Sequence, residues 1–303
     1  MAVKTPRVNW ATLTIGMLGG DEREQEIARL AAATGAEVRA CGIPWPEHGI
    51  PRVQHLADPA AVLKGAKFAL FPIPGIGADG ALFAPKSPKP IIPDRSMLAG
   101  MKPPAHIILG WADDKLKTHA ADLSIQLHEY EADRGMMLRR APAIIEGLLK
   151  VTIENTAITI HKARVCVVGH GTIGSLLTRY LIALGAEVHV VARSPDRRAA
   201  AYVSGAEIHL PEELENLASQ LDILFSTVPA RAVGEDILGR LNKAALVLDI
   251  AAPPGSVDRE AAKKFGIKAI WARGLGSRAP VTVGASQWEG IRERIEKIIQ
   301  SES

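Results

Sequence analysis

Apolar positions along this chain follow two rhythms. Short apolar runs bounded by glycine, proline or charged residues, such as "TIGML", "FALF", "AHIILGW", "RVCVVG", "LDILFS" and "ALVLDI", predict buried strands. Between them, apolar residues recur at three- and four-residue spacing and predict helices, with Ile27, Leu30 and Ala31 on one and Ile173, Leu176, Leu177, Tyr180, Leu181 and Leu184 on another. Further helices are expected around Asp113 to Ala121 and Ala143 to Asn155. A terminal amphipathic helix is marked by Trp288, Ile291, Ile295 and Ile298.

The pattern repeats. Gly19 and Gly169 each follow an apolar run, and "GAEV" begins at Gly35 and again at Gly185, so both landmarks recur after 150 residues (169 − 19 and 185 − 35). Each copy reads as strand, glycine turn, helix and second strand, the unit of doubly wound sheets. The expected fold class is therefore α/β: two Rossmann-like doubly wound domains with parallel sheets and a cleft between them. The boundaries expected are 1–142 for an N-terminal substrate or catalytic domain, joined by a C-terminal helix over 284–303, and 143–283 for a nucleotide-binding domain.

The 303 residues carry 36 basic and 33 acidic side chains in mixed order, so no basic stripe points to nucleic acid and a small molecule is the expected ligand. Cys41 and Cys166 lie in strand-like runs without a second cysteine nearby, and read as buried thiols in a reducing compartment. The opening stretch imitates a signal peptide through Lys4 and Arg7, but its apolar run is short and leads into "DEREQE", so a first strand is the reading. No apolar run is long enough for a bilayer, because Pro72, Pro74, Gly75 and Gly77 interrupt the best one. A cytoplasmic protein is expected.

The two glycine turns differ in chemistry. In "GGDERE", Asp21 and Glu22 sit where a phosphate would approach a helix N-terminus, and would repel it. In "GHGTIG", Gly169, Gly171 and Gly174 match G-x-G-x-x-G directly after a strand, with His170, Thr172 and Ile173 between them, and predict a dinucleotide site. The following strand ends on Arg193 and Ser194, with Arg197 and Arg198 beyond, where an acid would select NAD. Cations there favour a 2′-phosphate, hence NADP with NAD as the lesser alternative. The rival reading is a solvated "RSPDRR" turn. Residues after the later strands, Ser226, Thr227, Val228, Pro229, Asp249, Ala251 and Ala252, are expected near the nicotinamide half of such a cofactor.

The order of "GGDERE", "ILGWA", "AIIEG", "VVGHGTIG", "STVP", "LDIAAPPGSVD" and "GLGSRAPVTVG" resembles the dipicolinate synthase A-subunit family of spore-forming bacteria over almost the entire chain. The resemblance implies an NADP- or NAD-dependent oxidoreductase that acts with a flavoprotein-like B subunit in the mother cell of a sporulating bacterium. Its reaction would convert the product of dihydrodipicolinate synthase to dipicolinate. A small dicarboxylate substrate is then implied, with no nucleic acid and no membrane, and a homo-oligomer is compatible with it.

Oxidising such a ring needs a base for a ring proton and cations for two carboxylates, the cofactor carrying the hydride. Arg278, after the last strand, is the first candidate for a substrate carboxylate, with Arg140 and Arg95 behind it. Glu146 is a candidate contact because a carboxylate inside "APAIIEGLL" is costly unless exposed or functional. Asp21 matches the family's GGD, although a helix N-cap accounts for it equally. None of the nine histidines falls at a spacing such as H-x-x-x-H, and no metal is expected. Two other readings share parts of this pattern: a hydroxyacid- or alanine-type dehydrogenase, and a non-catalytic nucleotide-binding partner protein.

Overall fold

The computed structural model describes residues 8–302; Lys4 and Arg7 of the leader-like stretch lie outside them. The chain forms two compact units, one of residues 1–140 with 279–303 and one of residues 141–278.

In the first unit the strands are β1 Thr14–Leu18, β2 Glu37–Cys41, β3 Val53–His55, β4 Phe68–Leu70, β5 Ala105–Leu109 and β6 Ile125–Glu129. Helices α1 Glu22–Ala33, α2 Pro59–Leu63, α3 Arg95–Leu98 and α4 Asp114–Asp122 connect them. The sheet is parallel throughout, in the order β3-β2-β1-β4-β5-β6. Its inner strands β1, β4 and β5 are almost continuously apolar because helices cover both faces of a parallel sheet, whereas β2, β3 and β6 towards the edges carry charged and polar residues. Burial follows: every residue of β4 and β5 is buried.

Helix α5, Arg134–Asn155, carries the chain from one unit into the other. It begins nine residues before the expected Ala143 and runs through Pro142. The unit boundary consequently falls inside a continuous helix, at 140/141, where no loop-like composition could mark it.

The second unit repeats the plan with β7 Arg164–Val168, β8 Glu187–Val191, β9 Glu207–His209, β10 Ile223–Ser226, β11 Leu246–Asp249 and β12 Lys268–Trp271. Its helices are α6 Thr172–Ala183, α7 Pro195–Val203, α8 Leu214–Leu217, α9 Glu235–Leu238 and α10 Arg259–Phe265. The order is β12-β11-β10-β7-β8-β9, again all parallel. Read from the other edge it is the first sheet's order, the one shared by dinucleotide-binding Rossmann folds. Two apolar layers line this sheet, one containing Val165, Val167, Val190 and Phe225 with Leu177 and Leu181 of α6, the other containing Cys166, Val168, Leu224 and Val247.

The terminal helix α11, Pro280–Glu302, belongs to the first unit and starts before the expected residue 284. It lies on α1 so closely that a Cβ on Gly284 would stand 2.5 Å from the Arg23 carbonyl oxygen. Trp288, Ile291 and Ile295 are buried on its inner face, at the helical spacing read from the sequence. Both cysteines are buried and unpaired. No helix among the described residues is long and apolar enough to cross a membrane.

Candidate dinucleotide site

Strand order reverses between β7 and β10, and ligands of open α/β sheets settle beyond the carboxyl ends of the strands at such a point. Gly169 leaves β7 with φ +95°, a conformation that glycine reaches without Cβ strain, and its N–H donates to Val191 O at 2.8 Å. A Cβ there would lie 2.5 Å from Val228 Cγ1 and 2.6 Å from Thr227 Oγ1. Gly171 is the N-cap of α6 and supplies no capping side chain; a Cβ on it would meet nothing within 4 Å. At Gly174 a Cβ would overlap the Gly169 carbonyl oxygen. One glycine thus makes the turn, one leaves open space above a helix N-terminus, and one lets the helix approach the strand. With no acid in its first turn, α6 offers free amides and the positive end of its dipole to an anion.

His170, inside this turn, is buried, and its Nε2 has no partner among the described residues. Burial keeps its pKa below the ordinary value, with the nearby Arg197 charge acting in the same direction, so the ring is neutral near pH 7. Thr172 and Ile173 are half-buried at the start of α6. Thr227 Oγ1 donates to Val168 O at 3.1 Å and also lies 3.3 Å from Gly169 O, tying the exit of β10 to the glycine turn. Val228 is half-buried beside it and Pro229 is exposed.

Past β8, most of "RSPDRR" is exposed, as the solvated-turn reading has it, and the stretch runs on into helix α7. Ser194 caps α7 by accepting the Arg197 N–H at 3.5 Å, and Pro195 opens the helix with its preset φ. Arg198 is used structurally, donating to Ala192 O and Arg193 O at 2.7 and 2.8 Å. Arg193 and Arg197 are exposed and form no ion pair among the described residues.

Asp249, at the end of β11, points into its own loop. Oδ1 accepts from Ala251 N at 3.0 Å and Ser256 Oγ at 2.9 Å, and Oδ2 from Ser256 N at 2.7 Å and Val257 N at 3.1 Å. Four donors occupy a carboxylate that is 3% exposed, so its evident work is to shape residues 251–257. Ala251 is buried there, its carbonyl accepting the Trp271 indole N–H at 2.9 Å. Beside it, the buried Ser226 hydroxyl has no partner among the described residues.

The four catalytic candidates fall into two pairs. Glu146 and Arg278 are both exposed in the second unit and form an ion pair with each other. The 275–278 segment is held against α5, because a Cβ on Gly147 would come 2.6 Å from Leu275 O. Asp21 and Arg140 belong to the first unit. Arg140 is buried and donates to Glu131 Oε1 at 2.7 Å. Asp21 caps α1, accepting Arg23 N at 3.0 Å and the Arg23 guanidinium at 2.7 and 2.8 Å. Burial opposes its charge, but Arg23 outweighs this and holds the carboxyl below its ordinary value. Arg95 opens α3 on the surface.

One residue that sequence reasoning passed over dominates this region. Glu24 is 2% exposed and completes a capping box, its Oε2 accepting Asp21 N and its Oε1 accepting Ile73 N, each at 2.8 Å. Burial pushes its pKa up to about 7, against the pull of Arg23 and the two amides. The buried Tyr130 hydroxyl lies in the same field, its pKa raised by burial and by the Glu24 charge. The D-x-x-E spacing of a capping box was the available signal.

Two sheets of Rossmann order, the second with a glycine-rich turn opening on a bare helix N-terminus, define a two-unit protein of a dehydrogenase-like Rossmann fold. In sequence and structure it is similar to dipicolinate synthase A subunits. Residues 14–131 match the family model for the N-terminal domain of the dipicolinate synthase A subunits, and residues 152–270 match that of shikimate / quinate 5-dehydrogenase. The dipicolinate synthase A protein of Bacillus subtilis (strain 168) is 29% identical over 276 residues, covering 90% of this chain and 92% of that protein. The crystal structure of the same Bacillus subtilis enzyme component superposes with a TM-score of 0.87 at 26% identity, covering 96% of this chain and 98% of that one. Its counterpart from Bacillus halodurans gives 0.86 at 26% identity, over 92% and 96%. A transhydrogenase from Sinorhizobium meliloti shares the fold, with a TM-score of 0.69 at 13% identity over 91% of this chain and 89% of that one.

Proposed function

We propose that this protein is the A component of a dipicolinate synthase, an NADP-preferring oxidoreductase that works on the product of dihydrodipicolinate synthase together with a B subunit. The observation that carries the cofactor assignment is the uncapped N-terminus of α6 at Gly171, where open space meets free amides. Residues 169–174 would hold the pyrophosphate, with Thr227, Val228 and Pro229 along the approach to the nicotinamide. Arg193 and Arg197, exposed and without carboxylate partners among the described residues, supply the charge a 2′-phosphate needs, and Ser194 fixes the turn that presents them. Bound there, the nicotinamide supplies a two-electron hydride acceptor.

The likeness to dipicolinate synthase A subunits along nine-tenths of the chain supports the substrate class, a small dicarboxylate. Arg278 is the guanidinium proposed for one substrate carboxylate. Its present partner Glu146 would be displaced or would orient it, whereas Arg140, already paired with Glu131, and Asp21, already chelated by Arg23, are the weaker members of the proposed set. That the relatives are named as subunits supports assembly with a second chain.

Calorimetric titration of the full chain with NADP and NAD tests the cofactor, and the expected result is uptake of one nucleotide with NADP the tighter. Absence of uptake of either removes the redox reading. Turnover of the dihydrodipicolinate synthase product, followed by cofactor absorbance with and without the B subunit, tests the reaction. Activity in neither mixture would leave a nucleotide-binding protein of another pathway.

A further inference from the structure

The parallel ladder between β8 and β9 sets His189 opposite Glu207, with His209 two residues further along β9. Side chains at i and i+2 of a strand share a face, and a residue directly opposite on the neighbouring strand shares it too. Three potential ligands thereby converge at one sheet edge, although 20 residues separate the two histidines. His189 Nδ1 lies 3.0 Å from His209 Nε2 and 3.4 Å from Glu207 Oε2, while His209 Nε2 lies 3.7 Å from Glu207 Oε1. One ligand atom from each residue falls within 4.8 Å of the other two.

We propose that His189, His209 and Glu207 form a divalent metal site of the zinc type, which clasps the edge strand β9 to β8 and keeps a fourth position for water. The separations are the first argument. A tetrahedral ion with ligand distances of about 2.0–2.1 Å spaces its ligand atoms about 3.3 Å apart, inside the observed range. The second is that a single nitrogen of His189 faces both partners. A mere relay through an imidazole would use its two nitrogens on two sides, as His106 does in the first unit, where Nδ1 meets His128 Nε2 at 3.2 Å and Nε2 meets Glu302 Oε1 at 3.0 Å. The third is access: the cluster borders a cleft of about 630 Å3 lined also by Glu213, Asn216 and Gln220, which leaves room for an exchangeable water. Arg164 in that cleft is engaged by Glu187 at 3.1 Å.

Two imidazoles with one carboxylate favour zinc and its first-row neighbours over magnesium or calcium, which prefer oxygen. The ion would add stability by mass action, since the unfolded chain does not hold the three ligands together.

The test is titration of the metal-free full chain with Zn2+ alone, followed by calorimetry, with Co2+ as the spectroscopic probe. Expected are one saturable Zn2+ per chain, tetrahedral Co2+ visible bands, and a rise in melting temperature. Millimolar Mg2+ or Ca2+ should not compete. Glu207→Gln, on an exposed side chain, and His209→Gln should each weaken Zn2+ binding by about tenfold or more, and the exposed Glu207 variant keeps the test readable should the histidine variant fold poorly. Absence of saturable uptake, or uptake that both variants leave unchanged, overturns the proposal and leaves a hydrogen-bonded histidine pair.

Discussion

The two units place the same hydrogen bond at the same point of the same fold, and then diverge. Gly19 N donates to Cys41 O at 2.8 Å in the first, and Gly169 N donates to Val191 O at 2.8 Å in the second, each atom pair displaced by 150 residues (169 − 19 and 191 − 41). At that offset Asp21 corresponds to Gly171 and Glu24 to Gly174. The first unit fills the mouth of its helix with its own chemistry: Asp21 caps α1, and Glu24 reaches across the strand reversal to the Ile73 amide. In the second unit the corresponding positions carry no side chain: a Cβ on Gly171 would meet nothing within 4 Å, and Gly174 packs against the Gly169 carbonyl, so no side chain caps α6. One Rossmann scaffold is therefore self-satisfied at its switch point, and the other leaves its helix N-terminus without a capping side chain. Fold alone would not distinguish them.

Writing the first unit's chemistry into the second should break that contrast most sharply. Gly171→Asp puts a carboxylate at the N-terminus of α6 in a space that can hold it, so the melting temperature should move little while NADP affinity falls by about 100-fold, read by calorimetry. An unchanged affinity would mean that nucleotide does not use this terminus. Exchanging Arg193 for Asp should lower the NADP-to-NAD affinity ratio by about tenfold or more, with NAD binding retained.

The first unit can be pressed from its own side. Asp21→Ala removes an N-cap and also leaves the largely buried Arg23 guanidinium without its carboxylate, so it should cost about 3 kcal/mol or more in urea unfolding, with nucleotide binding intact. Glu24→Gln leaves one of two buried backbone amides facing an NH2 group and should cost about 1–3 kcal/mol in urea unfolding, without altering nucleotide affinity. Its pH dependence adds a sharper reading. Folded, Glu24 holds its proton up to about pH 7, whereas in the unfolded chain it releases it near the ordinary 4.5. The folded state binds the extra proton between those values, so the stabilising contribution is complete below about 4.5 and is lost as pH rises through 7. Asp21 titrates below its ordinary value and stays out of that window. Wild-type stability measured from pH 5 to 8 should accordingly fall more steeply than that of the Gln variant, and parallel profiles would contradict a protonatable Glu24.

Much of this was legible in one dimension. The apolar runs located both sheets, the 150-residue repeat pointed to two units of one topology, and "GHGTIG" against "GGDERE" already separated the turn left without a capping side chain from the one filled by acids. Such features are local: a strand period, a glycine without Cβ and a capping acid act on neighbours a few residues away. The long start of α5 was less legible, since Pro142 reads as a helix boundary although the helix passes through it. The pairing of Glu146 with Arg278 was not legible at all, for 132 residues separate them.

By itself the sequence determined that two Rossmann sheets would form and which of their glycine turns stays open, because hydrophobic periodicity and turn chemistry are written in adjacent residues. Only the tertiary structure decided what the remaining polar groups do. It turned Asp249 inward to organise a loop, drew Glu24 across to Ile73, and brought His189, Glu207 and His209 to one face through strand register. The reason is geometric: these partners are chosen by which strands lie side by side, and neighbourhood in a sheet leaves no trace in local spacing.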